Sequence, residues 1–252
     1  MIIGIIQARM GSSRFPGKVM ESVCGKPLIG HMLDRLKMSR LLEKVIIATS
    51  TDMKNDSLCE YLQKRGTDVF RGDEDDVLDR FYKAAITYHP SSVMRLTGDC
   101  PLIDPVICDH LIQSFLEKKV DYACLTPAFA EGLDCEIMTM ETLKKIYQKA
   151  QMKSEREHVT LYLHNHKNDF AVFKLDNYRD DSLYRIVVDE PEDFIVVKKI
   201  MEYFYEQNKE LFTFEKIKEF LDRESELKKV NAHIIRNDGL LKSLAVDKKV
   251  KG

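Results

Sequence analysis

The sequence has no surplus of positive charge. Its 39 Lys and Arg stand against 41 Asp and Glu, a formal charge of −2 over 252 residues, so nothing suggests electrostatic wrapping of nucleic acid. No window approaches the ~18–20 continuous apolar residues of a membrane span. The opening apolar run is too short, and lacks the preceding basic segment, to read as a secretory signal. Cys24, Cys59, Cys100, Cys108, Cys124 and Cys135 form no C-x-x-C pair, which excludes the usual zinc and dithiol motifs. They read as reduced, mostly buried thiols of a cytoplasmic protein. There is no internal repeat, and no linker forces a domain boundary.

What is present is core material. Hydrophobic content of 44% beside 32% charged residues describes a globular chain with enough apolar surface for a sizeable core, as one large α/β domain or two small ones. Ile2–Gln7 is a continuous apolar run, the kind of strand buried on both faces of a parallel sheet. Lys26–Met38 carries a helical stripe, Val45–Ser50 is a second strand, and Asn55–Arg65 is a helix closed by Gly66. A short strand at Asp68–Phe70 leads to an acidic cluster, Asp73 to Asp76, suited to a helix N-terminus. For Glu74 and Asp75 an acidic cap accounts for the residues. Val93–Thr97 is the next strand. Alternating strands and helices predict βαβ units and a mostly parallel sheet.

The second half is less regular. Helix is expected over Val106–Glu117, strand over Tyr122–Leu125 and Cys135–Thr139, and helix over Glu141–Gln151. Glu155–His166 has a helical pattern. Strands follow at Phe170–Leu175 and Arg185–Asp189, then a helix opened by Pro191 and running through Tyr205. Glu226 to Gly252 reads as partly ordered, with the final DKKVKG expected to fray.

Chemistry concentrates after the first strand. Between Gln7 and Lys18 stand Arg9, Gly11, Ser12, Ser13, Arg14, Gly17 and Lys18. Glycines bring backbone N–H groups close to a ligand, and cations neutralise clustered negative charge, so the loop has the composition of a phosphate cradle. An ordinary basic surface loop has it too. The Walker A pattern fails because Val19 follows Lys18, and there is no G-x-G-x-x-G. In parallel sheets ligands gather beyond the carboxyl ends of strands, where the loop, Ser50, Arg71 and Gly98–Asp99 all fall. Asp99 and Asp189 each end a predicted strand, and each is followed two residues on by proline. A lone aspartate there is ordinarily a turn or cap residue, but two facing a cationic loop would suit a magnesium ion shared with phosphates. Asp134, Glu136, Glu157 and His158 are candidate substrate contacts. His164 and His166, two apart on a helical pattern, would face different sides and are not read as a metal pair.

With these residues assembled, the chain resembles the cytidylyltransferases of the spore-coat polysaccharide biosynthesis type, relatives of the CMP-Kdo and acylneuraminate (CMP-sialic acid) synthetases. The resemblance spans nearly the whole length, through QARMGSSRFPGKVM, CGKPLIGHMLDRL, VFRGDEDDVLDRF, RLTGDCPLIDP, EGLDCEIMT, SEREHVTLYL, RIVVDEPEDF and RNDGLLKSL in that order. It implies a Rossmann-like, GT-A-like α/β nucleotidyltransferase fold with a mostly parallel sheet. The single domain would comprise a nucleotide-binding half over 1–125, a smaller acceptor and dimerisation lobe over 126–185, and a metal-aspartate strand with C-terminal helices over 186–252. The implied reaction transfers CMP from CTP to a small acidic acceptor with release of pyrophosphate, for surface-glycan biosynthesis. The partners would be CTP and acceptor, with no nucleic acid or membrane, in a cytoplasmic homodimer.

By the same resemblance Ala8, Arg9, Gly11, Ser12, Ser13, Arg14, Lys18, Arg71, Thr97 and Gly98 would contact the nucleotide. Lys18, Arg9 and Asp99 would be catalytic, and Asp99 and Asp189 would hold Mg²⁺. Glu136, Glu157 and His158 would lie near the acceptor. Thr97 stands where the Kdo enzymes carry glutamine, so acceptor identity does not carry over. The alternative is a glycosyltransferase using a ready-made nucleotide sugar on a similar fold.

Overall fold

The structure, a computed structural model, describes residues 1–207, 212–236, 238–245 and 247. Its strands are β1 (Ile2–Gln7), β2 (Ser22–Val23), β3 (Lys26–Pro27), β4 (Lys44–Ser50), β5 (Val69–Gly72), β6 (Ser92–Thr97), β7 (Tyr122–Leu125), β8 (Glu136–Thr139) and β9 (Val172–Leu175). The helices of the first half are α1 (Leu28–Leu36), α2 (Asp56–Lys64), α3 (Val77–Ile86) and α4 (Pro105–Lys118). Those of the second are α5 (Met140–Lys149), α6 (Lys153–Glu157), α7 (Leu161–Asn165), α8 (Pro191–Glu206), α9 (Phe214–Arg223), α10 (Ser225–Lys229) and α11 (Asp238–Ala245).

Seven strands form one sheet in the order β5-β4-β1-β6-β8-β7-β9, and β2 and β3 make a separate small hairpin. The fold is α/β and the sheet is mostly parallel, as the alternation of elements predicts. The run over Ile2–Gln7 occupies its middle, between β4 and β6. Ile3 and Ile5 pack into the layer with Leu78 and Phe81 of α3, while Ile2 and Ile6 join the opposite layer with α1 and α8. Burial on both faces explains why this strand reads as unbroken aliphatic sequence. No helix among the described residues is long and apolar enough to cross a membrane. All six cysteines are free, and five are buried.

β8 runs antiparallel to both neighbours, β6 and β7. Its first residue, Glu136, therefore lies at the same edge of the sheet as the ends of the parallel strands, in register with Arg95.

Two expectations are corrected. Arg185–Asp189 is not a ladder strand: among the described residues its single sheet-like contact is a bridge from Arg185 to Glu131. Ile186, Val187 and Val188 are buried, which produces the apolar run, but they lie against loops. Ile186 N–H donates to Glu131 O and Val188 N–H to Asp99 O, both at 2.8 Å. Gly132 permits this approach, because a Cβ there would fall 2.5 Å from Val187 N at φ +105°. The helical pattern of Glu155–His166 divides into α6 and α7. His158 leaves helical geometry at φ −107°, ψ 83°, and the Thr160 hydroxyl turns to Glu136. The expected fraying of DKKVKG falls, Asp247 apart, outside the described residues.

Candidate active site

The first loop is built as a clamp around its lysine. Gly17, at φ +77°, sends its N–H to Met10 O at 2.9 Å and starts the 3₁₀ turn that carries Lys18. A left-handed residue is cheap only as glycine, which explains the Pro-Gly before the lysine. Asn55 is buried and accepts Met10 N–H at 2.8 Å, tying the loop to the start of α2. Sequence reading missed this contact, since one asparagine near a helix start carries no distinctive signal.

Lys18 is 8% exposed and reaches both Asp99 and Asp189. Its Nζ stands 2.7 Å from Asp189 Oδ1 and 3.6 Å from Asp99 Oδ2. Burial disfavours the ammonium, but the two carboxylates outweigh it and raise the lysine above its ordinary pKa. Burial likewise opposes the Asp189 carboxylate, yet Lys18, Arg14 and Arg185 hold its pKa below the ordinary value. Arg14 adds a 2.9 Å contact to Asp189 Oδ2 and a 3.3 Å contact to Glu190. Opposite charges at these distances favour the ionised forms on both sides.

Behind Asp189 lies a buried ionic cluster. Arg185 pairs through Nε and Nη2 with the Asp193 carboxylate, each at 2.8 Å, and through Nη1 with Glu131. Asp193 also accepts the backbone N–H groups of Asp189 and Glu190 at 3.0 Å and the Asn231 side-chain amide at 2.8 Å. The first turn of α8 thus fixes the backbone that presents Asp189, as a capping carboxylate does. Gly98 serves the other aspartate: a Cβ there would lie 2.8 Å from that of Ala8, so glycine lets the β6 turn close onto the loop after β1.

A cavity of about 460 Å³ opens beside these groups. Arg14, Thr97, Asp99 and Asp189 line one side, and Glu136, His158, Thr160, His164 and Lys174 the other. Glu136 is the hub of that far wall. Arg95 Nη1 lies 2.6 Å from Oε2, the Thr160 hydroxyl 3.0 Å from Oε1, and Tyr122 donates its hydroxyl proton to Oε1. Burial works against the charge, but Arg95, His164 and Tyr122 outweigh it and hold the carboxyl well below the usual carboxylate range. Arg95 signals itself in the sequence as a lone cation inside an apolar strand. His158 Nε2 lies 3.1 Å from Ser243 Oγ on α11, and that hydroxyl lies 3.1 Å from Glu157 Oε2. Glu157 therefore reaches His158 through a residue 85 positions from the histidine in sequence. Burial lowers the pKa of His158.

Other expected residues lie apart from this lining. Arg9 Nη1 pairs with Glu74 Oε1 at 2.6 Å, so Glu74 is an ion-pair partner, and the helix cap of α3 is Asp76. Arg71 is taken up by Ser50 O and Asp52 O, each at 3.0 Å, and by Asp56 at 2.7 Å. Gly11 lies beside Glu74, and the Ser12 hydroxyl accepts Phe15 N–H at 3.4 Å. Ser13 belongs to the same loop but has no role in the contacts above.

Buried cations around two carboxylates, at the carboxyl ends of a mostly parallel sheet and beside a polar cavity, describe a site for an anionic ligand. A sequence model of the cytidylyltransferase family matches residues 3–233. The chain belongs to the cytidylyltransferase family. It is 36% identical over 207 residues to the spore coat polysaccharide biosynthesis protein SpsF of Bacillus subtilis, covering 79% of this chain and 85% of that one. An uncharacterised protein of Methanocaldococcus jannaschii is 34% identical over 235 residues, 92% of this chain and 95% of its own. Among solved structures, a cytidylyltransferase from Leptospira borgpetersenii superposes with a TM-score of 0.86 at 34% identity, covering 90% of this chain and 96% of that one. A CMP:2-keto-3-deoxy-manno-octonic acid synthetase complexed with CTP gives 0.62 at 18% identity, over 80% and 98%. At that identity the likeness is one of fold. The loop that carries Lys18 in this cytidylyltransferase follows the middle strand of its central sheet.

Proposed function

We propose that this cytidylyltransferase transfers CMP from CTP to a small acidic acceptor, a sugar acid or a related molecule, and releases pyrophosphate. The observation that carries the reading is the Lys18 ammonium between Asp99 and Asp189, two carboxylates that line the cavity. The loop of Ala8 to Lys18 would take the triphosphate, with Lys18 and Arg14 offsetting charge on the phosphates as the acceptor oxygen attacks in line at the α-phosphorus. Such a reaction needs positioning and charge neutralisation more than covalent chemistry, which suits a rigid site of buried charges.

Asp99 and Asp189 fit a divalent cation. They are hard oxygen donors of the kind Mg²⁺ takes, they converge on one point, and a cation already stands between them. They would hold Mg²⁺, which when bound supplies neutralisation of phosphate charge. Glu136, His158 and Glu157 would form the acceptor side, with Glu136 organising the wall. Exposed Tyr178 and Leu183 favour assembly as a homodimer through the smaller lobe. The similarity to the spore coat polysaccharide biosynthesis protein of Bacillus subtilis favours a role in surface polysaccharide assembly.

The test is a screen of CTP, Mg²⁺ and acceptors read by pyrophosphate release. The acceptors are an octulosonate, a nonulosonate, a phosphonate and a phosphorylated polyol. Pyrophosphate formed with CTP and one acceptor, and not with UTP, supports the reading. Consumption of a ready-made nucleotide sugar without pyrophosphate overturns it.

A further inference from the structure

The acceptor side of the cavity carries a histidine to which no chemical step has been given above. His164, on α7, lines the cavity with its side chain 43% exposed. Its Nε2 lies 3.3 Å from Tyr122 Oη and 3.6 Å from Glu136 Oε1, with the two aromatic rings edge to face. Tyr122 gives its own proton to Glu136. The phenol oxygen therefore meets the imidazole as an acceptor, which assigns the ring proton to Nε2 and leaves a lone pair on Nδ1. Nδ1 has no protein partner among the described residues. Glu136 does not compete for a proton, because Arg95 and Thr160 hold it as a carboxylate. An imidazole whose tautomer is set through a buried anion, on a residue that lines a ligand cavity and keeps its second nitrogen without a protein partner among the described residues, is the arrangement by which enzymes make a base.

We propose that His164 is the general base of the nucleotidyl transfer, with Tyr122 and Glu136 as its positioning residues; the assignment rests on the function proposed above. The acceptor O–H bond breaks as Nδ1 takes the proton. The electron pair left on oxygen forms the bond to the α-phosphorus, and the oxygen bridging the α- and β-phosphorus departs with its pair as pyrophosphate. Glu136, through Tyr122, stabilises the imidazolium that results. His158 differs, since its Nε2 partner is a hydroxyl on α11 rather than a relay anchored in the sheet. The titratable groups that contact the ring are Tyr122 on β7 and Glu136 on β8; Arg95 on β6, Cys124 on β7, Lys174 on β9 and His158 line the same cavity.

The experiment follows pyrophosphate release from CTP, Mg²⁺ and the same acceptor panel, comparing wild type, His164→Ala and Tyr122→Phe across pH. His164→Ala is expected to lower kcat about 10²- to 10³-fold, to keep the KM for CTP within about twofold, and to lose the acidic limb of the kcat profile. Added imidazole restores its rate in proportion to the free base. Tyr122→Phe lowers kcat by about tenfold and keeps the limb, with an unchanged circular dichroism spectrum. Wild-type kcat and limb in His164→Ala overturn the assignment, as does a loss confined to acceptor KM that imidazole leaves unaltered. If wild type itself releases no pyrophosphate with any acceptor, the proposed function fails and the assignment falls with it, an outcome distinct from failure of His164 alone.

Discussion

Lys18 Nζ lies 2.7 Å from Asp189 Oδ1, a salt bridge between residues 171 positions apart in sequence. The lysine leaves the loop at the end of the central strand, and the aspartate ends an extended segment laid over the neighbouring loops. Their meeting places a buried ammonium beside a second carboxylate, Asp99, and this triad underlies the first two predictions.

Lys18→Met keeps the stem and removes the charge. Loss of one preorganised charge contact to the reacting phosphates is expected to cost roughly 3–4 kcal/mol, a fall of about 10²- to 10³-fold in kcat. Steady-state pyrophosphate release checks this, with near-native CTP affinity indicating that the loss lies in the transition state.

Asp99→Asn and Asp189→Asn are expected to abolish magnesium-dependent turnover while the far-UV spectrum stays close to wild type, with a lowered unfolding midpoint for Asp189→Asn because it removes the nearer counter-charge of buried Lys18. Isothermal titration of Mg²⁺ in the presence of a non-hydrolysable CTP analogue gives the second readout. Turnover like that of wild type in either variant removes that residue from the proposed metal pair.

Arg185 tests the support beneath Asp189. Its guanidinium is 7% exposed and neutralises Glu131 and Asp193. Arg185→Met leaves both carboxylates buried without a counter-charge, which is expected to cost roughly 3–5 kcal/mol of stability. Urea denaturation measures it, and a cost under about 1 kcal/mol would mean that solvent or a neighbouring cation takes the place of the arginine.

Gly132→Ala puts a Cβ against the Val187 amide at a backbone angle that side chains rarely adopt. Strain at such a position costs roughly 1–3 kcal/mol. The clash displaces the segment that delivers Asp189, so activity is expected to fall before the fold is lost. A thermal melt compared with kcat shows whether the two losses separate.

The Glu136 carboxyl is held below its ordinary pKa, so its stabilising contribution is present above the unfolded-state value of about 4.3. It is lost as pH falls from there toward the lower folded value, because the unfolded chain takes up the proton first. The stability gap between wild type and Glu136→Gln is therefore expected to be constant from neutral pH down to about 5 and to narrow below that. Chemical denaturation at stepped pH follows the gap, and one that widens on acidification contradicts the shift.

Much of the sheet was legible in the chain. Ile2–Gln7 and Tyr122–Leu125 have the bounds expected of them, because strands buried on both faces leave aliphatic runs bounded by turn residues. The same signal misled at Arg185–Asp189. Burial of Ile186 to Val188 produces an apolar run whether the neighbours are strands or loops, and pairing is not written in periodicity. The pattern over Glu155–His166 hid a break for a related reason: Val159 and Thr160 are buried, so the apolar stripe continues through residues that are not helical. Within the site, Lys18, Asp99 and Asp189 stood out by residue type and position at element ends. Arg185, Asp193, Tyr122 and Ser243 did not, since each acts by a contact with a distant segment.

The sequence by itself determined the α/β architecture, the cationic loop after the central strand and the two aspartates that face it. Local propensity, hydrophobic period and turn chemistry act over a few neighbouring residues and can be read along the chain. Only the tertiary structure decided that Arg9 turns to Glu74 and Arg71 to the start of α2, and that Glu136 is consumed by Arg95 and Tyr122. It also decided that His164, which is not read as half of a metal pair with His166, lies 3.6 Å from that buried carboxylate. These are choices among partners of equal chemistry, and which side chains meet depends on how distant segments converge at the sheet edge.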